Sequence, residues 1–312
     1  MKILVTGATG FIGSHLSEQL VKDGHDVIIH FSSRRSGRSW RISKELWTKS
    51  DYVCFDVRDR RSVINIIDYI SPDVVYHLAN AGIYGGVSVD EDESISINLQ
   101  GGYNVAYASK CVGSMFINVG SSSEYGDQCY PMEEDFSVPR PETPYAIAKT
   151  MVTHYTYMMS LEGHKCATFR IFSPYGPKDD DCRLIPSVIK SIIKNEEITI
   201  QNSNVTRDYV YIDDVVDVLV KAPGVFDKIS NMSTNIFNIG TGYESLIFWV
   251  VETIADIMGY SKKIIYKEPP AVVNTRWVAD TSKLNIIMPE RKQTTLREGL
   301  KQTIHYYMEQ IN

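Results

Sequence analysis

The chain has 312 residues, a formal net charge of -6, 43% hydrophobic and 22% charged residues. That length accommodates a sizeable core and about two domains. The acidic balance does not suggest a nucleic-acid partner, and basic clustering is confined to Arg34, Arg35, Arg38 and Arg41. Cys54, Cys111, Cys129, Cys166 and Cys182 show no metal-ligand spacing, so no metal site is expected and the thiols read as reduced and mostly buried. Lys2 is followed by an apolar run ending at Thr6-Gly7, too short for a leader or a membrane span. The expectation is a cytoplasmic protein without a membrane partner.

In chain order, Ile3–Thr6, Val27–Phe31, Tyr52–Phe55, Val74–Leu78, Met115–Val119 and Ala167–Phe172 read as strands. Their nearly continuous apolar character suits parallel strands buried on both faces. Between them, Phe11–Lys22, Arg60–Ile70, Ile95–Lys110 and Pro144–Leu161 have helical patterning. Thr143 caps the last of these, Pro144 fits its first position and Gly163 follows its last turn. This β-α repetition predicts an α/β fold, a doubly wound parallel sheet. The second half predicts a helix at Leu184–Lys194, strands at Asp208–Tyr211 and Ile236–Ile239, and helices at Ser245–Met258 and Leu296–Glu309. Segments 126–143 and 262–280 read as loops able to form a lid or substrate walls.

The first strand runs into Gly7-Ala8-Thr9-Gly10-Phe11-Ile12-Gly13, a G-x-x-G-x-x-G turn that opens a helix. Gly7 permits the tight turn, Gly10 lets the backbone approach a pyrophosphate, and Gly13 lets helix and strand pack closely. The helix N-terminus presents free N–H groups to the phosphates. The reading is a dinucleotide site. The second strand ends His30-Phe31-Ser32-Ser33-Arg34-Arg35 without the acidic residue that would hold a ribose 2′-hydroxyl. Ser32, Ser33 and Arg34 can instead bond a 2′-phosphate, which favours NADP, with NAD as the alternative. Asp56, beside Val57 after the third strand, is placed to accept from an adenine amino group or to form a plain turn.

Tyr145 and Lys149 stand four residues apart on one helix face. A nearby ammonium favours the phenolate, so the tyrosine can exchange a proton with a substrate oxygen, and the lysine can also hold the cofactor ribose. The strand Met115–Val119 is followed by Gly120-Ser121-Ser122-Ser123-Glu124-Tyr125-Gly126. Ligands sit at the carboxyl ends of such strands, so a serine there can bond the reacting oxygen.

Taken together these residues resemble the extended short-chain dehydrogenase/reductase family of sugar-nucleotide epimerases, dehydratases and reductases. The resemblance also includes His77-Leu78-Ala79-Asn80, Asn98, Arg170–Pro177, Arg207–Asp214 and Phe237–Gly242. It implies a Rossmann domain over residues 1–174, a segment near 208–242 returning to it, and a smaller substrate domain over most of 175–312. It implies Ser122 as the catalytic hydroxyl, with an alternative one residue away because the loop reaches Tyr125-Gly126 early. Tyr145 becomes the general acid/base and Lys149 its partner. Leu78, Ala79 and Asn80 flank the cofactor, with Ser121 and Phe172. Ser123, Glu124, Ser173, Arg183, Arg207 and Arg276 face a nucleotide sugar, the two last gripping its diphosphate or ribose. His77 is assigned no catalysis. A homodimer through the helices Ile95–Lys110 and Pro144–Leu161 is implied.

Three reactions share such a site. The shortened serine loop and the absent acidic residue favour an NADP-dependent reductase of a 4-keto-6-deoxy nucleotide sugar. The alternatives are an NAD-dependent 4-epimerase and a 4,6-dehydratase using Glu124. A non-catalytic dinucleotide sensor is disfavoured because Tyr145 and Lys149 are both present.

Overall fold

The computed structural model describes residues 1–32, 40–82, 90–267 and 276–310. The apolar runs of the first half lie side by side in one parallel sheet. Its strands are β1 (Lys2–Thr6), β2 (Asp26–Phe31), β3 (Asp51–Cys54), β4 (Val74–His77), β5 (Met115–Ser121) and β6 (Cys166–Ile171). Ile236–Ile239 adds a seventh strand, giving the order Ile236–Ile239, β6, β5, β4, β1, β2, β3. Leu4 pairs with Ile28 on one side and Val75 on the other. Strands β4 and β6 are buried at every position, as a sheet covered on both faces requires. The exception is β3, whose Asp51, Tyr52 and Cys54 are exposed because it forms the free edge.

One face is covered by α1 (Phe11–Lys22), through Leu16 and Leu20, and by the helix Ile212–Lys221, through Val215, Val218 and Leu219. The other face is covered by Arg60–Ile70, Gly102–Cys111 and Pro144–Leu161, through Val63, Ile67, Val105 and Met159. A separate core joins the helices Leu184–Ile193, Ile247–Met258 and Leu296–Glu309 through Ile189, Val250, Ile254, Leu300 and Ile304.

Several elements differ from the sequence expectation. The predicted helix Ile95–Lys110 begins earlier, at Glu91, and passes through a π-helical stretch, Ser96–Gly101, before Gly102–Cys111. The widened turn accompanies buried Asn98, which accepts from Ala81 N–H at 2.8 Å and donates to Ala81 O at 2.6 Å. Of the predicted strand Asp208–Tyr211 only Val210–Tyr211 is extended and paired, with Pro174–Tyr175. Asp208 turns inward, where its carboxylate accepts from the N–H groups of Thr241, Gly242 and Ala279. Ser245–Leu246 pairs with Thr206–Arg207 instead of opening the next helix. Helices Lys44–Lys49 and Ser282–Ile287 and the parallel pair Ile198–Gln201 with Ile264–Lys267 were not foreseen. Cys54, Cys111, Cys129 and Cys182 are exposed and only Cys166 is buried, which corrects the expectation of mostly buried thiols. Among the described residues no helix is long and apolar enough to cross a membrane.

Candidate active site

The carboxyl ends of β1, β4, β5 and β6 open into a cavity of about 720 Å³. Its floor is the glycine loop. Gly7 has φ of +72°, and a Cβ there would lie 2.6 Å from Ala79 N. A Cβ on Gly13 would lie 2.3 Å from Gly7 O. Both contacts are with backbone, so no side chain is tolerated. The loop is further fixed by His30 at the end of β2. Gly7 N–H donates to His30 Nδ1 at 3.3 Å and His30 Nε2 donates to Phe55 O at 3.0 Å. Burial pushes His30 down to about 4, so the neutral ring holds both bonds. Thr6 Oγ1 accepts from the N–H groups of Leu78 and Ala79, closing the loop against β4. This glycine cradle at a helix N-terminus fits the pyrophosphate of a dinucleotide.

Thr9, Gly10, Phe11 and Ile12 line the cavity with Gly7 and Gly13. Ser32, Asp56, Val57, Leu78, Ala79 and Asn80 continue the same wall. Asp56 is already held by Arg58, whose Nη2 lies 2.6 Å from Oδ2. Ser33 and Arg34 lie outside the described residues.

The opposite wall carries Ser121, Ser122, Ser123, Tyr145, Lys149, Phe172, Ser173, Arg183 and Arg207. Thr143 caps the Tyr145 helix through Ala146 N–H, as foreseen. Lys149, one turn on, is 3% exposed; its Nζ donates to Val119 O at 2.8 Å and lies 5.9 Å from the Tyr145 ring centroid. Burial pushes the ammonium down to about 8, opposed in part by the Glu124 carboxylate.

The serine loop is a tight helical turn, Ser122–Tyr125, capped by Ser121, whose Oγ accepts from Ser123 N–H and contacts Ser123 Oγ at 2.8 Å. Ser122 Oγ accepts from Trp277 Nε1 at 2.9 Å. Glu124 corrects the sequence expectation of a substrate contact. It is fully buried, its Oε1 accepts from Ser121 N–H, and its Oε2 pairs with Arg170 Nε at 2.9 Å. The guanidinium also lies 4.4 Å from the Tyr125 ring centroid. Tyr125 Oη in turn donates to Asn238 Oδ1 at 2.8 Å. Arg276 is likewise displaced from the expected set: it stands off the cavity wall, half-exposed and paired with Glu244.

Sequence reasoning missed Trp277, Arg170, Asn238 and Asp179 as parts of this site. Asn238 Nδ2 donates to Met132 O and Asp280 O, tying segment 126–143 to segment 276–280. Glu134 Oε1 accepts from Asn238 N–H at 2.7 Å, and burial pushes Glu134 up to about 7. Asp179 lines the cavity near Arg183, and burial pushes it up to about 7 as well. Arg170 and Asn238 sit within motifs visible in the sequence, whereas nothing local marks Trp277. Among the described residues no cluster of three or more His, Cys, Asp or Glu could hold a metal ion.

Residues 3–240 match the family model described as the NAD dependent epimerase/dehydratase family. The chain belongs to this family. It is 30% identical to a UDP-glucose 4-epimerase of Mycolicibacterium smegmatis, with 98% of each chain covered. Among solved structures it is similar to the UDP-glucose 4-epimerase of Thermotoga maritima with UDP-glucose, at 28% identity, TM-score 0.87 and full coverage of both chains. It is also similar to the UDP-glucuronic acid 4-epimerase of Bacillus cereus in complex with NAD, at 26% identity, TM-score 0.86 and full coverage of both chains.

Proposed function

We propose that this chain is an NAD-dependent nucleotide-sugar 4-epimerase. The observation that carries the reading is a single cavity lined by the glycine loop, Tyr145, Lys149 and the serine loop. The similarity to UDP-glucose and UDP-glucuronate 4-epimerases supports epimerisation over the keto-sugar reduction expected from the sequence. The dehydratase alternative needed a carboxylate from the serine loop, and Glu124 is committed to Arg170.

A bound nicotinamide dinucleotide supplies hydride uptake and return at the sugar carbon. Tyr145 takes the proton of the sugar hydroxyl as it is oxidised and gives it back when the carbonyl is reduced. Lys149, charged below about pH 8, favours the phenolate. Ser122 donates to the reacting oxygen, and Arg207 and Arg183 pair with the diphosphate. Residues 1–174, with the strand near 236–239, form the cofactor half in this reading and most of 175–312 the substrate half.

The NAD of the Bacillus cereus structure supports NAD here. Ser32 at the end of β2, with no acidic neighbour, favours NADP as a second reading. Equilibrium titration with each dinucleotide decides between them. Ile147, Met151, Met158 and Leu161 lie exposed along the Tyr145 helix, which supports a homodimer. The reading is tested by incubating the protein with UDP-glucose, UDP-glucuronate and 4-keto-6-deoxy nucleotide sugars. A 4-epimer formed without net cofactor change supports it, and the Tyr145→Phe variant should bind UDP-sugar yet lose turnover. Stoichiometric consumption of reduced cofactor on a keto sugar, with no epimer formed from any substrate, rejects it.

A further inference from the structure

Trp277 lies on the cavity wall between two groups that the epimerase reading uses separately. Its Nε1 donates to Ser122 Oγ at 2.9 Å, and the Arg207 guanidinium carbon lies 4.8 Å from its ring centroid. The body of the indole packs against the buried cluster of Tyr125, Met132, Phe172 and Ala279. The backbone on either side is held. Arg276 N–H donates to Gln128 O, Met132 N–H donates to Val278 O, and Ala279 N–H donates to the Asp208 carboxylate, each within 3.2 Å. Asp208 adjoins Arg207, so the segments bearing the two cavity groups are tied together beside the ring.

The chemistry of the Ser122 contact is directional. An indole N–H can donate but not accept, and a serine hydroxyl has one proton and two lone pairs. Trp277 therefore occupies a lone pair of Ser122 Oγ and leaves the proton to be donated elsewhere. Ser122 is only 7% exposed and faces the cavity, so the partner left for that proton is an oxygen bound in the cavity. The Arg207 contact is of a different kind. Burial costs this guanidinium, whose Nη1 donates to Thr206 O at 2.9 Å, and the ring face offsets part of that cost.

We infer that Trp277 is a positioning residue that orients the Ser122 hydroxyl as a donor and holds the Arg207 guanidinium at a fixed span from it. One rigid side chain then sets the distance between a sugar's reacting oxygen and its diphosphate. The inference rests on the roles given above to Ser122 and Arg207.

The test uses the full chain, UDP-glucose as substrate and UDP alone as a probe of the diphosphate grip. Trp277→Phe keeps a ring and removes the N–H. It lowers kcat about tenfold, the effect of one lost hydrogen bond to a reacting group, and leaves the UDP Kd within twofold. Trp277→Leu removes the ring too, lowers kcat at least as far, and raises the UDP Kd about fivefold. In a Ser122→Ala background, Trp277→Phe costs no further activity. A kcat for Trp277→Phe within twofold of the wild type overturns the inference. So does an equal loss in the Ser122→Ala background, which would mark a merely structural role. An unchanged UDP Kd in Trp277→Leu, or no binding of UDP at all, overturns the Arg207 part. If the wild type binds UDP but turns over no nucleotide sugar, the epimerase reading fails by itself, and the two UDP titrations still decide whether Trp277 holds Arg207.

Discussion

The two walls of the cleft are made from different material. The cofactor wall is backbone: Gly7, Gly10 and Gly13 at the start of α1, braced by Thr6 from β1 and His30 from β2. The wall that the epimerase reading gives to substrate is side chains that meet across long stretches of chain. Trp277 reaches Ser122 over 155 residues, Tyr125 reaches Asn238 over 113, and Arg170 reaches Glu124 over 46. The cradle tolerates no Cβ at Gly7 or Gly13, and its distant braces, His30 and the β4 end at Leu78 and Ala79, act through few side chains. A side-chain wall can be altered piece by piece, and each change shows in substrate handling before it shows in cofactor binding.

The largest effect is expected where the backbone wall is broken. Gly13→Ala puts a Cβ 2.3 Å from Gly7 O, and dinucleotide affinity measured by calorimetry should fall about a thousandfold, roughly 4 kcal/mol. Binding within fivefold of the wild type would erase the contrast between the walls. Next comes the scaffold under the serine loop. Arg170→Met leaves Glu124, fully buried, without its cation. Unfolding by denaturant should show a loss of about 3 kcal/mol, most of it recovered when Glu124→Met is added. If the double variant is no more stable than the single, Glu124 does not depend on that partner.

A third, smaller effect is a pH dependence. The Lys149 ammonium is held down to about 8 by burial, so its charged form is lost as pH rises through 8. With kcat proportional to the charged form, turnover should fall about tenfold for each pH unit above that point. Dinucleotide affinity should change much less over the same range. A kcat flat to pH 10 would remove the ammonium from the account. The smallest effect concerns Glu134, which ties segment 126–143 to the edge strand. Its folded value of about 7 lies above the ordinary 4.5, so the stability it contributes is present below pH 4.5 and is lost as pH rises through 7. Glu134→Gln keeps the acceptor oxygen and cannot ionise. It should exceed the wild type in stability at pH 8 and match it near pH 4. Equal stability at both pH values would show that Glu134 ionises without cost.

The same contrast explains what the sequence revealed. Strand β4 and the Gly7–Gly13 turn are legible because their requirement is local: apolar on both faces, or no Cβ. Tyr145 and Lys149 are legible because helical spacing puts them on one face. Trp277 is not, because its role exists only after segment 276–280 has paired with Met132. Glu124 misled for a related reason. It sits among serines that face the cavity, yet the tight turn Ser122–Tyr125 rotates it inward onto Arg170. Arg276 was read from its place in the family pattern, and its charge is answered by Glu244 at the surface. Ser33 and Arg34, on which the NADP expectation leaned, lie outside the described residues, so cofactor choice stays with the titration.

The most direct test of the central claim follows one hydrogen. UDP-glucose or UDP-glucuronate deuterated at C4 is incubated with the protein and NAD, and the product is read by NMR and mass spectrometry. The account predicts the 4-epimer with the deuterium retained at C4 and no net change in cofactor absorbance, while Tyr145→Phe gives no product. Deuterium lost to solvent, or transferred to a stoichiometrically released reduced cofactor without any epimer, would contradict it.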